Sequence, residues 1–307
     1  MPAPLCILAA DQRGWLTDAL YGPAEVLSQQ RLAVVADIKL AIADAAARYD
    51  GAQGQPGLLV DERYGAAAAR HARAAGLTLA MPVELDRQQV LTPEYGSDWP
   101  AHLDAFDPEL AKLLIWHNPD AGRDMLNAQL ASLAEIAGSL RAQRRPLMLE
   151  VLSPPTAAQL DRCGGDHGRF DRDLLPGLTL RAIDEVLAAG VHVDVWKLEG
   201  MPDAATFGRI RKRCQQANPG ARCLVLGRNA APEQVAAWLS DAARGGFAGF
   251  AVGRTAWWEP VRDWLAGRTG RAAAVDRIAG NYTRLCETFS SAAGEHQPGC
   301  PVPRPGR

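Results

Sequence analysis

VHVDVWKLEG, residues 191–200, alternates at a two-residue period: Val193, Val195, Lys197 and Glu199 share one face, Trp196 and Leu198 the other. That is how a β-strand distributes its side chains. The stretch is apolar enough to be buried, yet it holds an ammonium beside a carboxylate. Either the charges neutralise each other inside the fold, or the strand runs into a chemical site. Seven more short apolar runs lie along the chain: LCILAAD (5–11), GLLVDE (57–62), LTLAMPVE (77–84), KLLIWH (112–117), PLMLEVL (146–152), RCLVLG (222–227) and GFAVG (249–253). Helix-like stretches separate them. DMLNAQLASLAEIAGSLRAQRR (124–145) puts Leu126, Leu130, Leu133 and Ala137 on one stripe. TLRAIDEVLAAG (179–190) ends on a glycine suited to a C-cap, and APEQVAAWLSDAARGG (231–246) has proline in its first turn and glycines at its end.

Eight runs apolar on both faces, alternating with helices, predict a parallel sheet covered by helices. A closed (β/α)8 TIM barrel commonly takes about 250 residues, which a single α/β domain over residues 1–290 supplies, its last helix spanning 271–290. The competing architecture is an open doubly wound sheet, but no GxGxxG follows the first strand and no GxxxxGK[ST] occurs. Residues 291–307 are rich in proline and glycine and read as a disordered tail. The connection SPPTAAQLDRCGGDHGRFDRDLLPG (153–177) is long, as expected of a lid, a substrate loop or a neutral insertion.

The 307 residues are 48% hydrophobic with a net charge of −2, so a sizeable core is expected and neither nucleic acid nor an anionic membrane is the expected partner. The opening MPAPLCILAADQRGWL reads as neither a secretion signal nor a membrane span. Six cysteines without CxxC spacing favour free thiols in a reducing cytoplasm. Only four of the 33 basic residues are lysines (Lys39, Lys112, Lys197 and Lys212). Arginine cannot form an imine, so a lysine in a strand stands out where charge alone would be met by arginine.

In such a barrel chemistry gathers at the C-terminal ends of the strands, and there the runs turn polar. The first ends at Asp11 and Arg13, the second at Asp61, the fourth at Trp116 and His117 with Lys112 below. The fifth ends at Glu150, the sixth at Lys197 and Glu199, the seventh at Gly227 and Arg228, the eighth at Gly253 and Arg254. Lys197 is read either as an internal ion pair with Glu150 or Glu199, or as an imine-forming amine kept neutral by burial and a cationic neighbour such as Lys112. Two successive Gly-Arg pairs at strand ends fit a phosphate site: glycine lets backbone N–H groups approach and arginine grips the anion. No HxH or HExxH points to a metal, and no GxSxG elbow points to a serine hydrolase.

LAADQRG, LLVDERYG, AKLLIWHNPD, LMLEVL, DVWKLEG and GFAVGRTAWW occur in that order. Together they resemble the class I tagatose-1,6-bisphosphate aldolase family, which includes the sulfofructose-phosphate aldolases. They are more similar still to the aldolase-like C-terminal domain of bifunctional 5-dehydro-2-deoxygluconokinases of myo-inositol catabolism. The resemblance covers about residues 4–290. It implies a (β/α)8 barrel that cleaves a ketose phosphate through a lysine Schiff base, without cofactor or metal, as a homo-oligomer. It places the imine on Lys197, proton handling on Glu150, supporting roles on Lys112 and Asp11, and a phosphate contact on Gly253–Arg254. The seventh strand departs, ending LGRNA where that family shows a serine-containing LSAG-like turn, which leaves the sugar open. The expectation is a cytoplasmic aldehyde-lyase acting on a small phosphorylated keto-sugar. The alternatives are a metal-dependent lyase or isomerase on the same barrel and a non-catalytic sugar-phosphate binder.

Overall fold

The computed structural model describes residues 3–23 and 26–295. Eight parallel strands close into a barrel in sequence order, the first paired to both the second and the eighth. They are β1 (Leu5–Ala10), β2 (Gln55–Val60), β3 (Thr78–Pro82), β4 (Leu110–Trp116), β5 (Leu147–Leu152), β6 (Val195–Leu198), β7 (Arg222–Leu226) and β8 (Gly249–Val252). Each is a run marked from sequence, with ends moved by a residue or two. The helices around them are α1 (Gly14–Tyr21), α2 (Gln29–Ala46), α3 (Glu62–Ala74), α4 (Trp99–Phe106), α5 (Arg123–Ala142), α6 (Ala157–Arg162), α7 (His167–Asp173), α8 (Leu175–Ala188), α9 (Ala204–Ala217), α10 (Pro232–Arg244), α11 (Arg254–Leu265) and α12 (Arg271–Glu295). The fold is a (β/α)8 TIM barrel.

Alternation along the strands builds two cores. Outward residues such as Trp196, Leu198, Leu149 and Phe250 pack under the helices. Inward residues, among them Leu5, Leu110, Met148, Val195 and Leu224, fill the barrel axis. Burial of each such large side chain contributes about 1.5–3 kcal/mol. Two residues further along their strands, Leu110, Met148 and Val195 are followed by Lys112, Glu150 and Lys197, so the axis turns from apolar to charged at the C-terminal end.

The connection 153–177 is not an open loop: it folds into α6, α7 and the start of α8. Thr156 and Gln159 form a reciprocal capping box on α6, and Asp166 caps α7. The last helix continues past position 290, where the sequence reading ends it, to Glu295. The rest of the predicted tail lies outside the described residues. Tyr282 of α12 donates a 2.5 Å hydrogen bond to the Cys6 carbonyl, tying that helix to β1. Among the described residues, no helix is long and apolar enough to cross a membrane, and Cys6, Cys163, Cys214, Cys223 and Cys286 are buried free thiols. Cys300 lies outside the described residues.

Candidate active site

Parallel pairing sets Glu150 of β5 directly beside Lys197 of β6. Glu150 Oε2 lies 2.9 Å from Lys197 Nζ and 3.1 Å from Lys112 Nζ, so one carboxyl oxygen bridges the two lysine nitrogens. Lys112 Nζ also meets Asp11 Oδ2 at 3.0 Å and Glu84 Oε1 at 2.7 Å. Lys112 and Lys197 are 1% and 4% exposed, so these contacts operate with little solvent screening.

The cluster sorts its own protonation states. Burial alone would lower the pKa of Lys112, but Asp11, Glu84 and Glu150 outweigh it and raise that pKa. Burial alone would raise Asp11, but Lys112 and Lys197 hold its carboxyl well below the usual carboxylate range. Glu84 goes the other way: burial raises its pKa, only partly offset by Lys112 and Arg13. Lys112 is therefore a fixed cation with three carboxylate neighbours, whereas Lys197 has one.

In front of Lys197 the barrel mouth opens into two adjoining lobes of about 320 and 350 Å³, both lined by Gln12, Trp116, Glu150, Lys197 and Arg254. Trp116 is 45% exposed and offers an uncovered apolar face. Gly253 joins β8 to α11 where a Cβ would sit 2.4 Å from the Ala9 carbonyl, so only glycine allows this approach. Arg254, the first residue of α11, stacks its guanidinium 4.6 Å from the Trp15 ring centre. Burial lowers its pKa, with only distant help from Asp11 and Glu150 in the other direction. An arginine in this position, at a helix N-terminus and beside a cavity, has the charge and donors to hold an oxyanion.

Gly227 and Arg228 also line the first lobe, but Arg228 is already engaged: its guanidinium meets Asp171 of α7 at 2.6 Å and Glu199 at 3.2 Å. Glu199 accepts from the Ser153 N–H at 2.9 Å rather than touching Lys197. Its raised pKa comes from burial, offset in part by that N–H and by Arg228. Arg228 and Asn229 both have left-handed backbone (φ 47° and 58°), a conformation non-glycine residues adopt at a cost. Arg228 thus ties α7 to the end of β6 at the mouth.

Three further predicted positions serve the frame. Asp61, fully buried, caps α3 through the Tyr64 N–H and pairs with the buried Lys39. It lines neither lobe. His117, predicted at the mouth, points instead into the helix layer, where Nε2 meets Glu185 Oε2 of α8 at 2.7 Å; burial lowers its pKa. Arg13 does reach the second lobe, but its guanidinium is spent on the Glu84 carbonyl (2.7 Å) and on Glu94 (2.6 Å).

Sequence reading passed over Glu84 and Gln88, while Gln12 stands at the end of the first strand between Asp11 and Arg13. Among the described residues eight buried side-chain N or O atoms lack a hydrogen-bond partner, and five of them belong to Gln12, Arg13, Glu84 and Gln88, all lining the second lobe. Buried polar groups without partners are costly and rare. Their concentration in one cavity leaves donors and acceptors there that a bound polar group could engage. Among the described residues no three His, Cys, Asp or Glu side chains are grouped so as to hold a metal ion.

Fold and site together define a (β/α)8 barrel with a buried lysine–glutamate–lysine relay opening onto a polar mouth. The chain belongs to the family described as "Uncharacterized protein conserved in bacteria (DUF2090)", which matches residues 2–293. No curated protein matches the sequence. Among solved structures, it is similar to the fructose-bisphosphate aldolase of Plasmodium falciparum, at 13% identity and TM-score 0.63 over 95% of this chain and 91% of that one. It is also similar to the fructose-bisphosphate aldolase of Slackia heliotrinireducens, at 14% identity and TM-score 0.54 over 90% of this chain and 86% of that one. At such identities the likeness is one of fold.

Proposed function

We propose that the protein is a class I aldolase that cleaves a phosphorylated keto-sugar through an imine on Lys197. The carrying observation is the bridging oxygen of Glu150, 2.9 Å from Lys197 Nζ and 3.1 Å from Lys112 Nζ, at the wall of an open cavity. Of the two lysines, Lys112 has three carboxylate neighbours and stays an ammonium, so it cannot be the nucleophile. Lys197 has one acceptor for its proton and faces both lobes.

Lys197 Nζ attacks the ketone carbon, and the carbonyl oxygen leaves as water, giving an iminium. The bond between the α and β carbons then breaks, and its electron pair moves to the nitrogen as an enamine. The β-hydroxyl proton passes to Glu150 and an aldehyde departs. Glu150 returns that proton to the enamine carbon, and water hydrolyses the imine to free dihydroxyacetone phosphate and the amine. Arg254 and the α11 N-terminus hold the phosphate, anchoring the substrate by its non-reacting end. The unpartnered polar atoms of Gln12, Glu84 and Gln88 receive hydroxyls.

The test is a retro-aldol screen over tagatose 1,6-bisphosphate, sulfofructose phosphate and 2-deoxy-5-keto-gluconate 6-phosphate, read by release of dihydroxyacetone phosphate. Borohydride added during turnover is expected to leave a reduced adduct on the Lys197 peptide, absent from Lys197→Ala. Full activity in that variant overturns the imine. Abolition of wild-type turnover by EDTA points to a metal-dependent lyase, and binding without turnover to a sugar-phosphate binder.

A further inference from the structure

At the opposite end of the barrel a second cavity, of about 550 Å³, lies between the start of β7, the approach to β8 and the last turns of α12. Two arginines line it. Arg222 opens β7, while Arg228 at the mouth lies six residues further on, a separation of about 20 Å at strand rise. Among the described residues the Arg222 guanidinium makes one hydrogen bond, from Nη2 to the Ala248 carbonyl at 3.4 Å. Its Nε is buried with no partner, and no carboxylate among the described residues pairs with it. Arg211 of α9 donates to the Gly245 carbonyl at 3.2 Å and to Gln215 at 2.7 Å, again with no carboxylate. Gly246 (φ 81°) makes room for it: a Cβ there would sit 2.9 Å from Arg211 Nε.

Comparably half-buried arginines elsewhere meet an acid: Arg145 pairs with Asp104, Arg213 with Asp184, Arg271 with Asp37 and Asp44. Of the arginines among the described residues, only Arg222 and Arg254 have pKa values pushed down, in both cases by burial. Arg254 lines the mouth, and Arg222 shows the same uncompensated charge at the other end. The remaining wall is apolar, with Pro4, Pro219, Phe247 and Phe289.

We infer that this cavity is a second ligand site, distinct from the mouth, for a phosphate monoester with an apolar body. Two guanidiniums that have no counter-charge among the described residues match a dianion, and the proline and phenylalanine wall matches the body.

Calorimetric titration of phenyl phosphate into the Arg254→Leu protein, in which the mouth has lost its free cation, tests this. Inorganic phosphate, lacking the body, and benzoate, singly charged, are the comparison probes. Phenyl phosphate is expected to saturate one site and to bind more tightly than either. Adding Arg222→Met is expected to weaken it about tenfold or more. No saturable binding, or equal binding with and without Arg222→Met, overturns the site. Should Arg222→Met lose its native circular dichroism, Arg211→Gln replaces it: a loss of similar size supports the site and unchanged binding overturns it.

Discussion

Lys112 carries the electrostatics of the mouth, with three carboxylate neighbours, and in the proposed reaction it is not the nucleophile; replacing it separates the two roles. Lys112→Met leaves Asp11, Glu84 and Glu150 buried without the cation they share. Removing one partner from a buried ion cluster costs about 3–5 kcal/mol, so the urea midpoint at pH 7 is expected to fall accordingly. The pH dependence has a definite sign. Asp11 is held below its unfolded pKa of about 3.9, so in the wild type its contribution is complete above that value and lost as pH falls further. Without Lys112 the carboxylates take up protons more readily, and the stability gap between variant and wild type must narrow from pH 7 to pH 5. A gap that stays constant would show that the carboxylates do not depend on Lys112. Glu150→Gln probes the proton step instead: it keeps the shape, removes the base and is expected to slow turnover by about 10²–10⁴-fold. Retained turnover would remove Glu150 from the reaction. Parity along the strands made these residues legible, since Lys112, Glu150 and Lys197 each follow an inward apolar residue by two. The same rule turns His117 outward, in step with Leu113 and Ile115, and its strand-end position misled because that parity was not applied. Glu84 follows Ala80 and Pro82 inward, at the polar end of the third run.

At the scale of elements, parity stops informing one residue past a strand. Asp61 shares the parity of inward-facing Leu59, but there the chain has already turned into α3, which Asp61 caps. Its partner Lys39 comes from α2, and nothing in the spacing of the two residues announces the pair. Asp61→Asn is expected to leave the Lys39 ammonium buried without a counter-ion and to cost about 3–5 kcal/mol by chemical denaturation. The catalytic efficiency of the folded fraction should be unchanged, and a tenfold loss there would return Asp61 to the site. The connection 153–177 is the least legible stretch, although its caps are written in the chain. Thr156 and Gln159 stand at capping-box spacing and Asp166 caps the next helix. Both helices are too short to show a periodic stripe, and apolar periodicity was the signal being read.

For the whole molecule, parallel strands closed into a ring bring every strand's C-terminal end to one mouth. Most of the strand-end residues read from sequence therefore line that mouth. The opposite end gave no such signal, because Arg222 reads in sequence as one more arginine among 29 and its lack of a counter-charge appears only in three dimensions. Closure also couples the mouth to the fold, since the site exists only while the barrel is closed. A ligand at 100 times its Kd that binds only the folded state stabilises it by about 2.7 kcal/mol. Dihydroxyacetone phosphate is expected to raise the melting temperature with the logarithm of its concentration, and Arg254→Leu to abolish most of that rise by removing the phosphate contact. Arg222→Met should leave the rise intact, because this small polar ester lacks the apolar body that the far cavity accommodates. Equal rises in wild type and Arg254→Leu would remove the phosphate from the α11 N-terminus, and a rise lost in Arg222→Met would place it at the wrong end of the barrel.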